Sequence, residues 1–149
     1  MAKYSIVRFH CSTGKGSIPT ATIQIECPDG SLKTDAATDE GNGPVDATVN
    51  VIKRAFGGIA ITLKDYSVRA VNPGSDSVGE VTVRVECDER EYIDSAIGPD
   101  IIVASAEAIV GAVSQHMAFE AMTKPELSRR EAAEGKNARK WRGRGYEDL

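Results

Sequence analysis

Apolar and polar residues alternate along Thr22–Cys27, where Ile23, Ile25 and Cys27 share one face. The same alternation recurs along Thr82–Cys87, with Val83, Val85 and Cys87 as the apolar set. A period of two is the pattern of a strand with one buried face. The two words are almost the same word, Thr-Ile-Gln-Ile-Glu-Cys and Thr-Val-Arg-Val-Glu-Cys. Each has a strand candidate upstream (3–11 and 60–71) and another downstream (31–37 and 91–97). Each is then followed by a proline that can open a helix, Pro44 and Pro99.

The helical segments change the period. Val45, Val49, Ile52 and Ala55/Phe56 form one stripe, closed by Gly57-Gly58. In the second segment Ile101, Ile102, Ser105, Ala108/Ile109, Ala112 and Val113 form a broader stripe whose alanines allow close packing. Turn chemistry separates the strands at Pro28-Asp29-Gly30 and Asn72-Pro73-Gly74. The order strand-strand-strand-helix therefore occurs twice. The pattern predicts an α+β domain of two βββα units related by a pseudo-twofold, with antiparallel sheets each covered by a helix.

Charge divides the chain unevenly. The whole carries 18 Lys+Arg and 22 Asp+Glu, but residues 124–149 hold eight basic and five acidic residues. Periodicity also stops after Met122. Residues 1–122 are read as the folded domain, and 123–149 as a basic C-terminal tail whose last residues, 143–149, are expected to move unless Trp141 anchors them. Three cysteines at wide spacing, Cys11, Cys27 and Cys87, fit reduced thiols better than a disulfide framework. No uninterrupted apolar run approaches the ~18 residues of a membrane span and no signal segment opens the chain, so a cytoplasmic protein without membrane contact is expected. At 5% aromatics there is little to stack on bases. The run 139–145 could pair phosphates around Trp141, yet the acidic body makes a solvated or protein-docking arm the better reading, and nucleic acid is not the expected partner.

Catalytic material is scarce. His10 is placed outward on the first strand and His116 near the last turn of the second helix, and neither has a histidine or carboxylate at metal-ligand spacing. No nucleophile stands in an elbow or triad context. No catalytic residue, metal or cofactor is expected. Gly14-Lys15-Gly16-Ser17 lacks the spacing and following helix of a phosphate loop, and reads as a hairpin turn. Gly41-Asn42-Gly43-Pro44-Val45-Asp46-Ala47 offers more. Its glycines let a ligand approach the backbone, and a helix starting at Pro44 presents free amides to an anion.

Four words, Gly41–Ala47, Leu63–Val71, Gly74–Ser77 and Asp100–Ser105, stand in an order that resembles the C-terminal allosteric (dimerisation) domain of 2-isopropylmalate synthase and citramalate synthase. The resemblance covers about residues 4–115. It implies two βββα units, a homodimer or higher homo-oligomer, and feedback control by leucine or isoleucine held near the helix starts at the dimer interface. Carried over by position, it implies a ligand-binding set of Gly41, Asn42, Gly43, Pro44 and Val45, joined by Asp46, with Tyr66 and Ala70 on a pocket-side strand and Asp100, Ala104 and Ser105 at the second helix start. The chain departs from the family at Asp94-Ser95-Ala96 and Gly98-Pro99, so the second half-site is expected to be altered. The family's catalytic barrel has no counterpart in these residues. The chain is thus expected not to be an enzyme on its own, but to regulate a synthase, as a stand-alone subunit (favoured by Met1 directly before the first strand) or as a piece of one. The competing reading is a structural or assembly protein that keeps the dimerisation fold without a ligand.

Overall fold

The computed structural model describes residues 3–39, 43–71 and 78–123. The chain falls into two compact units, Met1–His116 and Met117–Leu149. In the first, β1 (Ser5–Ser12), β2 (Thr20–Glu26) and β3 (Leu32–Thr38) are followed by α1 (Pro44–Ala55). Then β4 (Ile61–Ala70), β5 (Gly79–Cys87) and β6 (Arg90–Gly98) lead into α2 (Ile101–Thr123). Each sheet is antiparallel with the repeated word as its central strand, in the orders β1-β2-β3 and β4-β5-β6. The expected α+β fold of two βββα units is the fold observed.

The halves agree in detail. The register between β1 and β2 shifts between Ile6 and Arg8, and that between β4 and β5 shifts between Leu63 and Asp65, so both outer strands bulge at the same place. Asp35 lies opposite Ile23, and Asp94 opposite Val83. Thr48 donates to the carbonyl of Pro44 at 2.7 Å, and Ser105 to that of Ile101 at 2.5 Å. Both are the same back-bond in the first turn of the following helix.

The core follows the alternation. Ala21, Ile23, Ile25 and Cys27 of the first sheet are buried with Ala47, Val49, Val51 and Ile52 of α1. Val81, Val83, Val85 and Cys87 of the second are buried, as are Ala104, Ala108, Ile109 and Val113 of α2. Each fully buried valine or isoleucine contributes about 1.5–3 kcal/mol relative to exposure. Ile61, opposite Cys87 at one end of the second sheet, is 2% exposed. Ile97 and Ile101, on either side of the turn into α2, are exposed at 57% and 42%.

α2 runs well past the apolar stripe. Nothing between Ser114 and Thr123 breaks a helix, so His116 lies inside it and not in its last turn. It has the length and hydropathy of a membrane span, but half of its apolar window is buried within the protein. It is a core helix of the second half.

The hairpin turns differ. Pro28-Asp29-Gly30 closes with the Gly30 N–H donating to the Cys27 carbonyl, Gly30 supplying a positive φ of 86°. β5 and β6 are joined by Asp88-Glu89 alone, both left-handed without any glycine (φ 49° and 67°). Gly14–Ser17 forms the expected turn, the Ser17 N–H donating to the Gly14 carbonyl at 3.2 Å.

Candidate functional site

α1 and α2 begin differently. Gly43 is the N-cap of α1, with φ 122° and ψ −166°, and as a glycine it offers the amides of the first turn no capping side chain of its own. That backbone region is essentially open to glycine alone. A Cβ there would meet nothing within 4 Å. The glycine is therefore required by backbone conformation, not by crowding from its own chain. The Gly43 N–H itself donates to Oδ2 of Asp39 at 3.3 Å.

At α2 the first turn is already satisfied. Oδ1 of Asp100 accepts from the N–H of Ile102 at 2.9 Å and from that of Val103 at 3.3 Å. An aspartate cap of this kind takes the place that a ligand carboxylate would occupy. The departure from the family pattern at Gly98-Pro99 thus precedes a helix start that carries its own anion.

Beside the first helix start, the Sγ of Cys11 lies 3.9 Å from the Pro44 carbonyl oxygen, in line to donate to it. Burial raises this thiol above its ordinary value, a hydrogen bond with Thr48 opposes the rise, and the negative charge of Asp100 adds to it. In the second half, the Tyr66 hydroxyl is 2.9 Å from the Oγ of Ser105, which is fully buried.

The candidate residues distribute as follows. Pro44 opens α1, and Val45 and Asp46, in its first turn, are half-buried. Tyr66 is half-buried, Ala70 exposed at the end of β4, and Asp100 exposed. Ala104 and Ser105 are covered by their own chain. Val68 and Ile101, exposed at 45% and 42%, flank Gly79, so an apolar rim adjoins the second helix start. Gly41 and Asn42 lie outside the described residues, as do Asn72–Ser77 and the basic tail. Sequence reasoning missed Cys11, Thr48 and Asp39. Their one signal was position: Thr48 follows Pro44 by one turn, and Asp39 precedes Gly43 by four residues.

Two open clefts in the first half are separate from these groups. One of about 540 Å³ lies between β3 and α1, and one of about 270 Å³ lies on β1–β3 around Arg8, His10 and Gln24. Folding also brings together a pair that sequence spacing does not show. His116, 1% exposed, places Nδ1 at 2.9 Å from the Tyr92 hydroxyl and Nε2 at 3.1 Å from Oδ2 of Asp88. A histidine–carboxylate pair thus exists, contrary to the spacing argument, because the short β5–β6 turn lays Asp88 against α2.

Two βββα units, each with its own antiparallel sheet and following helix, define a duplicated α+β class of domain. The chain belongs to the LeuA allosteric (dimerisation) domain family, which it matches over residues 1–117. It is 45% identical over 118 residues to the 2-isopropylmalate synthase of Microcystis aeruginosa, which covers 78% of this chain and 22% of that protein. The enzyme of the same name from Trichodesmium erythraeum is 45% identical over 104 residues (70% and 19%), and that of Clostridium kluyveri 38% over 112 (75% and 21%). The chain spans about a fifth of the length of these curated relatives. It is a regulatory and dimerisation module of that family.

Proposed function

We propose that this module binds a branched-chain amino acid, leucine or isoleucine, at the start of α1, and passes that signal to a catalytic synthase on the same or a separate chain. The observation that carries the reading is the first turn of α1 behind Gly43, an N-cap with no side chain to take its amides. Those amides suit the ligand carboxylate. Asp46 or Asp100 can meet the ammonium, and Val45 with Val68 can take part of the aliphatic tail. Gly41, Asn42, Tyr66 and Ala70 complete the proposed set. Burying the ligand side chain supplies only about 1.5–3 kcal/mol, so the polar contacts decide the affinity. The chain performs no catalysis in this reading, needs no cofactor, and acts in the cytoplasm. Residues 1–122 form the regulatory domain and 123–149 an appended tail, a division supported by the family match ending at residue 117.

A second reading, an assembly protein without a ligand, is favoured by one observation: the α2 start is closed by Asp100. Titration calorimetry of the full chain with leucine, isoleucine and valine separates the two. Heat from leucine or isoleucine that is lost in Gly43→Ala supports the regulatory reading. Silence from all three amino acids with a folded dimer selects the assembly reading.

A further inference from the structure

The matching back-bonds of Thr48 and Ser105 and the matching registers of Asp35 and Asp94 align the two halves residue by residue. On that alignment Thr20 corresponds to Glu80, Thr38 to Ile97, Asn50 to Glu107, Lys53 to Val110 and Arg54 to Gly111. These are the positions around the 540 Å³ cleft between β3 and α1, which Lys53, Arg54 and Asn50 line with Thr20, Thr38 and two alanines, with no carboxylate in the lining among the described residues. Lys53 has no ion-pair partner among the described residues. Arg54 gives its Nε to Asp35 at 3.0 Å while its side chain stays 63% exposed, so its terminal nitrogens face outward.

The second half reverses this charge. Glu107 replaces Asn50, is exposed, and has no partner among the described residues. Asp94 has no arginine to meet, because Gly111 stands where Arg54 does and the Asp94 carboxylate lies directly over it. Both surfaces border outer strands of separate sheets, β3 and β6, whose edges the helices meet at one carbonyl each, Asn50 donating to Thr38 and Gln115 to Ile93. Those edges carry exposed apolar side chains, Leu32 at 56%, Ile93 at 61% and Ile97 at 57%. Open edges with apolar side chains are ready to pair with another chain.

We propose that the basic groove of one protomer docks against the acidic surface around Glu107 and Asp94 of a second copy of this chain, Lys53 and Arg54 facing those carboxylates, with β3 alongside β6. This contact lies away from the helix starts, since Lys53 and Arg54 are in the last turn of α1. It is heterologous, basic face to acidic face, and joins dimers into larger assemblies or closes into a ring. It rests on the reading of the chain as an association module, but not on ligand binding.

Sedimentation velocity on the full chain at about 50 mM and 500 mM salt tests it, salt being the condition that screens exposed charges. The expected result is a species larger than a dimer at low salt that reverts to a dimer at high salt. Lys53→Glu or Glu107→Lys alone should weaken that step about tenfold, since each turns an attractive pair into a repulsive one, and Lys53→Glu/Glu107→Lys together should restore it. Carbodiimide cross-linking of mixed light and heavy nitrogen-labelled protein should yield an inter-chain Lys53–Glu107 amide. A larger species indifferent to both reversals overturns the proposal, as does a double variant no better than the single ones. A dimer at every salt concentration with nothing larger overturns this contact and leaves dimerisation at the helix starts intact. A monomer throughout overturns both.

Discussion

Tyr92 and His116 are joined through 2.9 Å between the phenol oxygen and Nδ1, with the two rings edge to face at 5.3 Å. The far nitrogen of the same imidazole reaches Asp88 in the β5–β6 turn. One buried ring therefore ties strand, turn and helix of the second half together. It also explains how a turn of two non-glycine residues is held in a left-handed conformation, which costs each of order 1–3 kcal/mol and persists only where surrounding contacts fix it.

His116→Leu should destabilise the protein by about 2–4 kcal/mol, since it strands the Tyr92 hydroxyl and frees the turn. Tyr92→Phe should cost about 1 kcal/mol. Urea unfolding midpoints check both, and equal losses in the two variants would contradict the central place given to the ring.

Tyr66→Phe removes the hydroxyl that meets Ser105, while Ser105 keeps its bond to the Ile101 carbonyl. A loss of about 0.5–1.5 kcal/mol in stability is expected. Thermal unfolding measures it, and a loss above about 3 kcal/mol would show that the hydroxyl supports more than this one bond.

Gly43→Ala should lower stability by about 1–3 kcal/mol through backbone strain alone, because the space around it is open. D-alanine at the same position, introduced by chemical ligation, accepts that φ and should recover most of the loss. Failure of the D-residue to do so would mean that crowding, not conformation, excludes a side chain.

The Cys87 thiol is pushed up to about 11 by burial first, then by the neighbouring charges of Asp88 and Glu86. A group whose folded value is raised leaves stability unaffected below its unfolded value of 9.0 and lowers it as pH climbs from there to about 11. The expected loss is about 1.4 kcal/mol per pH unit in that window. Cys87→Ala should be less stable at pH 8 yet show a flatter decline between pH 9 and 11. An unchanged slope would assign the alkaline loss to other groups.

Strand and helix positions were legible because each half has a sheet with one wet face and one dry face, and alternation records that directly. Ile23, Ile25, Val83 and Val85 announced their burial. The end of α2 was not legible, since the residues after Val113 are good helix formers whether or not they pack. Nor was the burial of His116, which depends on a tyrosine and an aspartate that adjoin it only after folding. At the candidate site, Gly43 and Pro44 were visible through turn and helix chemistry. Asp100 was noticed for its position, but its cap on α2 is a matter of side-chain geometry that spacing does not encode. Cys11 escaped notice because a strand cysteine looks the same whether it faces core or helix start.

The twin bulges, after Ile6 and after Leu63, bear on the history of the molecule. A bulge takes up one extra residue on its own strand, so the side chains beyond it keep the facing that the partner strand requires. The extra residue stands at the same register in β1 and in β4, opposite equivalent positions of β2 and β5. The two halves therefore share an interruption as well as an alternation, as two descendants of one segment would.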